Sequence, residues 1–203
     1  WSAHTQQVSR LALALFDQTR TVHQLGDKER EWLEYGALLH DIGVHICYQA
    51  HHKHSHYLIK HGDLRGFEPE EIEIIGLITR YHRKGTAKKT HEEFRALGGT
   101  ARAVVKRLSA FVRLAEALDR SHAQLVSRVD VEDRGSDLLL RLWAEGDVEL
   151  ELWAAHRHLP ILEAELGRVI RLEVVTRPRH ALPSQRPAER TKSSTSPARP
   201  RRP

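Results

Sequence analysis

Histidine is the side chain this sequence carries in excess. There are 15 in 203 residues, and seven of them fall between His40 and His61. Imidazole changes charge near neutral pH and is the commonest metal ligand. Its position relative to the hydrophobic pattern therefore decides what chemistry is open. Four stretches repeat apolar residues at helical spacing, and each carries an ionisable residue on or beside its apolar stripe. His4 lies one turn ahead of Val8, Leu11 and Leu15. His40, followed by Asp41, lies two turns after Leu33, and His82 lies two turns after Ile75. Asp119 falls inside the stripe of Val104, Val105, Leu108, Val112 and Ala115, with Glu116 at its edge. One such histidine would be a hydrogen-bonded core residue. Five such groups at helix ends need partners, because a buried charge or unpaired imidazole is costly. A shared divalent ion satisfies them together, since neutral imidazoles and carboxylates ligate zinc, iron or manganese. Side chains converging from different helices are how such sites are built in bundles.

The elements that must hold these groups can be placed from periodicity and turn signals. Residues 3–25 form one helix. Asp27 caps a second, which runs through Leu39 and breaks at Gly43. Periodicity is weak over Val44–His56, and Ser55 caps a short helix through Leu58 and Ile59. Pro69 opens a helix that ends at Arg83-Lys84-Gly85. Thr100 caps the next. After Leu125 the pattern changes. Val126–Val131 and Asp137–Trp143 are strands around a turn at Asp133–Ser136. A turn at Gly146-Asp147 precedes Val148–Leu152. Leu159–Leu166 is a helix ended by Gly167, and Val169–Val175 is a last strand. The expected fold class is mainly α. An all-α domain over 1–125 is followed by a small α+β unit over 126–175, with Trp143 and Trp153 in its core. Residues 176–203, rich in Pro, Arg and Ser, form a disordered basic tail.

Composition removes several function classes. The net charge of +5 is carried by the tail, which holds eight Arg or Lys against one Glu from Thr176 onward. The other 175 residues sum to −2, so the fold is not a basic surface. No aromatic residue interleaves the tail charges, which weakens a specific nucleic-acid reading there and leaves a solubilising end or charge-driven binding of a polyanion. No apolar run approaches the ~18 residues of a membrane span, and no signal peptide opens the chain. The single cysteine, Cys47, cannot form an internal disulfide, the pattern of a cytoplasmic protein. With no methionine, the chain reads as a segment of a longer protein.

The run His4, His40-Asp41 and Glu116 or Asp119 resembles the HD superfamily of metal-dependent phosphohydrolases. That pattern is a His, a His-Asp doublet and a late acidic residue on separate helices. Four segments in order are similar to the C-terminal region of Ppx/GppA-type exopolyphosphatases. They are Leu38-Leu39-His40-Asp41-Ile42-Gly43, His51-His52-Lys53-His54-Ser55, Tyr81-His82-Arg83-Lys84-Gly85 and Leu118-Asp119-Arg120-Ser121-His122. The resemblance covers about residues 1–175. It implies an HD-type helical bundle holding one or two divalent ions: manganese, iron, zinc or magnesium. It assigns His4, His40 and Asp41 as ligands, with Asp41 bridging in a two-metal site, and adds His52 and His82. Asp41, His52 and His82 would carry the catalytic step. The late ligand is Glu116 by the family's Leu-Ala-Asp pattern and Asp119 by the apolar stripe. Val44 departs from the Lys of many active members, and Glu116 from the usual Asp.

The implied reaction is hydrolysis of phosphoanhydride or phosphoester bonds in a phosphate-rich substrate, such as polyphosphate or a guanosine polyphosphate. Arg80, Arg83, Lys84, Lys88 and Lys89 cluster after the helix of His82, and Arg120 follows Asp119. Such cations suit a polyanion. His45, His51, His54, His56 and His61 are assigned to supporting or surface roles. A second reading also follows from the resemblance. Members keep their established catalytic site in an actin-like region not found in this sequence. This chain would then be a polyphosphate-binding or homodimerising module. A histidine-rich metal store is disfavoured, because storage needs no ligands spread over four packed helices.

Overall fold

The computed structural model describes residues 2–83 and 85–177; Lys84 and the basic segment 178–203 lie outside the described residues. Helix α1 spans Ser2–Gln18 and α2 Arg20–His23. The single helix expected over 3–25 is interrupted at Thr19, whose hydroxyl donates back to the carbonyl of Leu15 at 2.7 Å, a bond that competes with helix continuation. Helix α3 covers Asp27–Leu39. Its N-cap is Gly26 rather than Asp27, and the Glu29 carboxylate accepts the Gly26 N–H at 2.9 Å. A 3-10 turn follows over Ile42–His45, then α4 over His51–His61. Ser55 is thus interior to α4 and not its cap. Helix α5 covers Pro69–Arg80, with Pro69 in the first turn where its missing N–H costs nothing. Helix α6 is the short segment Glu92–Ala96, and α7 runs Gly99–Ala117, capped at Gly98 rather than Thr100.

Strand β1 (Val126–Asp133), β2 (Asp137–Glu145), α8 (Glu149–Leu166) and β3 (Val169–Arg177) complete the chain. The helix expected from Leu159 begins at Glu149, and β3 takes in Thr176 and Arg177, two residues expected in the tail. The sheet order is β1-β2-β3. β1 and β2 pair antiparallel and β2 and β3 parallel, with α8 as the crossover. The fold is mainly α with this small α+β part.

Helix α1 packs on α3 and α7, α5 lies against α3, α4 and α7, and α8 covers α7. Fully buried Leu11, Phe16, Leu33, Ile75, Ile78, Leu108 and Phe111 fill the centre. Helices α3 and α5 cross closely at Gly36, where a Cβ would stand 2.7 Å from Ile78 Cγ2. The apolar core continues past Leu125 into Leu140, Leu142, Leu159 and Ile170. Helix α1 also closes the outer edge of β1. Gln7 Nε2 donates to the Val126 carbonyl at 2.6 Å. Gln18 donates to the Val129 carbonyl at 3.0 Å and accepts the Val131 N–H at 2.8 Å. Neither expected core tryptophan is buried. Trp153 is 56% exposed beneath Arg157, and half-buried Trp143 lies under Arg128 and donates to Asp130. Among the described residues no helix is long and apolar enough to cross a membrane.

Candidate metal centre

The first turn of α1, the C-terminal ends of α3 and α5, and the turn after α7 meet at one end of the bundle. Each brings one of the ionisable residues singled out by the apolar stripes. His4 is 2% exposed, His40 0%, His82 1% and Asp119 0%. Two groups result: His4, His40 and Asp41, and Asp41, His51 and His82. Within each, one ligand atom per residue lies within 4.8 Å of the others. Asp41 belongs to both.

The imidazole orientations follow one rule. Nδ1 of His40 donates to the Ala37 carbonyl at 2.6 Å, Nδ1 of His82 to Thr79 at 2.5 Å, and Nδ1 of His51 to Tyr48 at 3.0 Å. Nδ1 of His4 is held by Asp119 Oδ2 at 2.8 Å. A carbonyl or carboxylate only accepts, so each Nδ1 carries a proton, and in the neutral imidazole Nε2 is left with a lone pair. Those lone pairs face one another. Nε2 of His51 is 3.4 Å from Nε2 of His82 and 3.1 Å from Asp41 Oδ1. Nε2 of His40 is 3.6 Å from Asp41 Oδ2. Nε2 of both His4 and His40 is buried with no hydrogen-bond partner among the described residues. Acceptors gathered around a carboxylate repel one another unless a cation lies among them, so these residues fit a divalent ion. Nδ1 bonds of this kind are the outer contacts that orient imidazoles in metal sites generally.

The protonation states of His40, His82 and Asp41 agree, while the Asp41 carboxylate raises His51, whose Nε2 must give up its proton before it can ligate. Burial holds His40 below its ordinary value, and holds His82 well below it. Burial pushes the Asp41 carboxyl up, but its His51 bond and the neighbouring imidazoles outweigh that and keep it ionised. Neutral imidazole and ionised carboxylate are the forms that bind metal.

A local device sets Asp41 against α4. The buried Ser55 hydroxyl donates to the His40 carbonyl at 2.7 Å and accepts the Gly43 N–H at 2.9 Å. Gly43 packs so closely on α4 that a Cβ there would overlap the His51 carbonyl oxygen.

The remaining assignments distribute differently. His51 joins Asp41 and His82, whereas His52 is buried next to it outside both groups. The late acid is outside them too. Asp119 takes His4 and the Gln124 backbone N–H at 2.8 Å, and Glu116 pairs with Arg120 at 3.1 Å. His122, which closes the fourth family-like segment but carries no assigned role, stacks on His4 with ring centroids 3.7 Å apart. Of the cations expected to hold phosphate, Arg83 lines a cavity with His51 and His52. Arg80 is paired with Glu93 at 3.2 Å, Lys88 and Lys89 are exposed, and Lys84 lies outside the described residues. His45 and His61 are exposed, and His56 is buried against Glu73.

Comparison with known proteins is consistent along most of the chain. Residues 2–159 match the family model described as Ppx/GppA phosphatase, domain III. The chain is 32% identical over 167 residues to a guanosine-5'-triphosphate,3'-diphosphate pyrophosphatase of Vibrio vulnificus, covering 81% of this chain and 31% of that protein. It is 30% identical to the protein of that name from Vibrio cholerae, with the same coverage. Its counterpart in Pseudoalteromonas atlantica is 27% identical over 168 residues, 82% of this chain and 31% of that one. The chain thus spans about a third of the length of these relatives.

Proposed function

Because this chain belongs to the Ppx/GppA phosphatase family, in the region of its domain III, we propose that it is a metal-dependent phosphohydrolase domain of the HD type. It would hydrolyse phosphoanhydride or phosphoester bonds of a phosphate-rich substrate, polyphosphate or a guanosine polyphosphate. The observation that carries this reading is the membership of Asp41 in two ligand groups at once. In this reading His4, His40 and Asp41 hold one ion, and Asp41, His51 and His82 a second. A divalent ion supplies Lewis-acid chemistry toward phosphoryl oxygens and water. The chain supplies the rest. The Ala37, Thr79 and Tyr48 carbonyls and Asp119 keep the imidazole proton on Nδ1, so that Nε2 stays a ligand. Arg83 offers a planar fork to phosphate oxygens.

A second reading has its own support. The chain spans 31% of its relatives' length, and Glu116, at the position of the HD pattern's late acid, is engaged by Arg120. A chain that binds polyphosphate or dimerises, with hydrolysis performed elsewhere in a longer protein, fits those facts.

One preparation separates the two. Metal content of the purified chain is measured together with phosphate release from polyphosphate and guanosine pentaphosphate. One or two equivalents of metal with turnover, both lost in Asp41→Ala, is the result expected of the enzyme. A chain that stays inactive after addition of manganese, iron or zinc, yet binds polyphosphate, is the module.

A further inference from the structure

Arg113 stands on α7 between buried Val112 and Leu114 and is itself only 4% exposed. A buried guanidinium is costly unless its donors are taken. Burial lowers its pKa, and Glu116 works against that. Its donors cross to another element. Nε donates to the Tyr81 carbonyl at 2.5 Å, and Nη2 donates to the Gly85 carbonyl. These two acceptors bracket His82 and Arg83, in the turn that follows α5. The last carbonyls of a helix have no partner within it and are satisfied from outside, often by a cationic side chain. The planar fork of an arginine holds two of them in one fixed arrangement, which an ammonium on a flexible stem does not.

This brace matters to His82 more than to the other candidate ligands. His40 is tied to α4 through its own carbonyl, which accepts the Ser55 hydroxyl. His4 is tied to the turn after α7 by Asp119. The Nδ1 bond of His82 goes to Thr79 of its own helix. That bond fixes the ring on α5 but does not fix α5 against Asp41. Nε2 of His82 lies 3.8 Å from Asp41 Oδ1, and a shift at the end of α5 carries that nitrogen with it. We propose that Arg113 is a positioning residue. By holding Tyr81 and Gly85 it sets His82 against Asp41, and so governs the Asp41, His51 and His82 group without governing the His4, His40 and Asp41 group. The inference rests on the metal-dependent reading of the Asp41 site and adds what controls one of its two ion positions.

The test titrates the full 203-residue chain with Mn²⁺, counting bound ions by equilibrium dialysis and recording the electron paramagnetic resonance spectrum. Two Mn²⁺ ions bridged by one carboxylate are magnetically coupled and lose the hyperfine pattern of an isolated ion. The wild-type chain should hold a coupled pair. Arg113→Met keeps the bulk of the side chain and removes its donors. It should weaken the second ion ~10–100-fold, the usual effect of losing an outer contact, and leave the first ion with an isolated-ion spectrum, as His82→Ala should. Arg113→Lys retains a donor and should recover part of the second ion's affinity. An Arg113→Met chain that keeps the pair at wild-type affinity overturns the inference, as does one that weakens both ions equally. If Arg113→Met fails to fold, Arg113→Lys decides in its place: weakening confined to one ion supports the inference, and equal weakening or none overturns it. A wild-type chain that takes up no metal overturns the metal-dependent reading and this inference with it. A wild-type chain that takes up a single ion, or a coupled pair indifferent to Arg113, overturns this inference alone.

Discussion

Nδ1 of His4 lies 2.8 Å from Oδ2 of Asp119, and this buried bond between α1 and the turn after α7 directs the other nitrogen of His4 toward the His40–Asp41 end of the site. Asp119 is well equipped for the task. Burial pushes its carboxyl up, but the bonds from His4 and from Gln124 outweigh that and hold it below the usual range. An acid placed on an apolar stripe thus serves as the anchor of a candidate ligand.

Exchanging that anchor should be visible in metal affinity. The side-chain amide introduced by Asp119→Asn can present N–H to Nδ1 of His4 and move the imidazole proton to Nε2, which removes the lone pair. Asp119→Asn is expected to weaken Mn²⁺ binding by ~10–100-fold, the usual effect of losing such an outer contact. The far-ultraviolet circular dichroism spectrum should stay unchanged. Titration of the apo chain with Mn²⁺ reads the affinity, and an unaltered value would remove Asp119 from this role.

Asp41 is shared by both groups, so its loss should abolish metal-linked stability. An ion present at a hundred times its dissociation constant adds about 2.7 kcal/mol to the folded state. That raises Tm by about 5–10 °C for a domain of this size. Asp41→Asn should melt at the same temperature with and without Mn²⁺. A wild-type-sized rise in the variant would place the ion elsewhere.

The turn that carries Asp41 is held by contact as much as by hydrogen bonds. A methyl at Gly43 would overlap both the His51 carbonyl oxygen and the Ser55 backbone nitrogen, and backbone atoms cannot swing aside as a side chain can. Gly43→Ala should cost about 1–3 kcal/mol through overpacking. Ser55→Ala should cost a similar amount, because it leaves the Gly43 N–H without its acceptor. Both are read from urea midpoints at constant slope. A cost below about 0.5 kcal/mol for each would show that the turn relaxes freely.

These contacts also show what can be read from the residues alone. His4, His40, Asp41 and His82 stand out because polar groups on an apolar stripe need a reason, and helical spacing puts them there. The choice between His51 and His52 cannot be made that way. Adjacent helical residues point about 100° apart, so the choice depends on where α4 begins. It begins after Ala50 in a left-handed conformation (φ 58°) that no residue type announces. Asp119 is legible as buried, but its partner His4 comes from the other end of the domain. The strands show through alternation and turn residues. The sealing of β1 by Gln7 and Gln18 does not, since it depends on α1 lying beside a strand remote in sequence.

Acid stability should depend on a carboxylate away from the candidate metal centre. Glu73 on α5 accepts His56 Nε2 at 2.8 Å and Lys60 Nζ at 2.9 Å from α4. The His56 bond is the largest cause, and the carboxyl is lowered to about 2 from 4.5 despite partial burial. A folded-state value below the unfolded one means that the unfolded chain binds the proton more readily. The stabilisation is therefore complete above pH 4.5 and is lost as pH falls toward 2. Allowing for solvent screening of a partly exposed pair, it amounts to about 1–2 kcal/mol. Glu73→Gln should be less stable than wild type by that amount at pH 6, and the gap should close by about pH 2.5. Urea midpoints at pH 6, 4 and 2.5 measure it, and a gap that stays constant across the series would mean that Glu73 stabilises the helix pair by packing and not by charge.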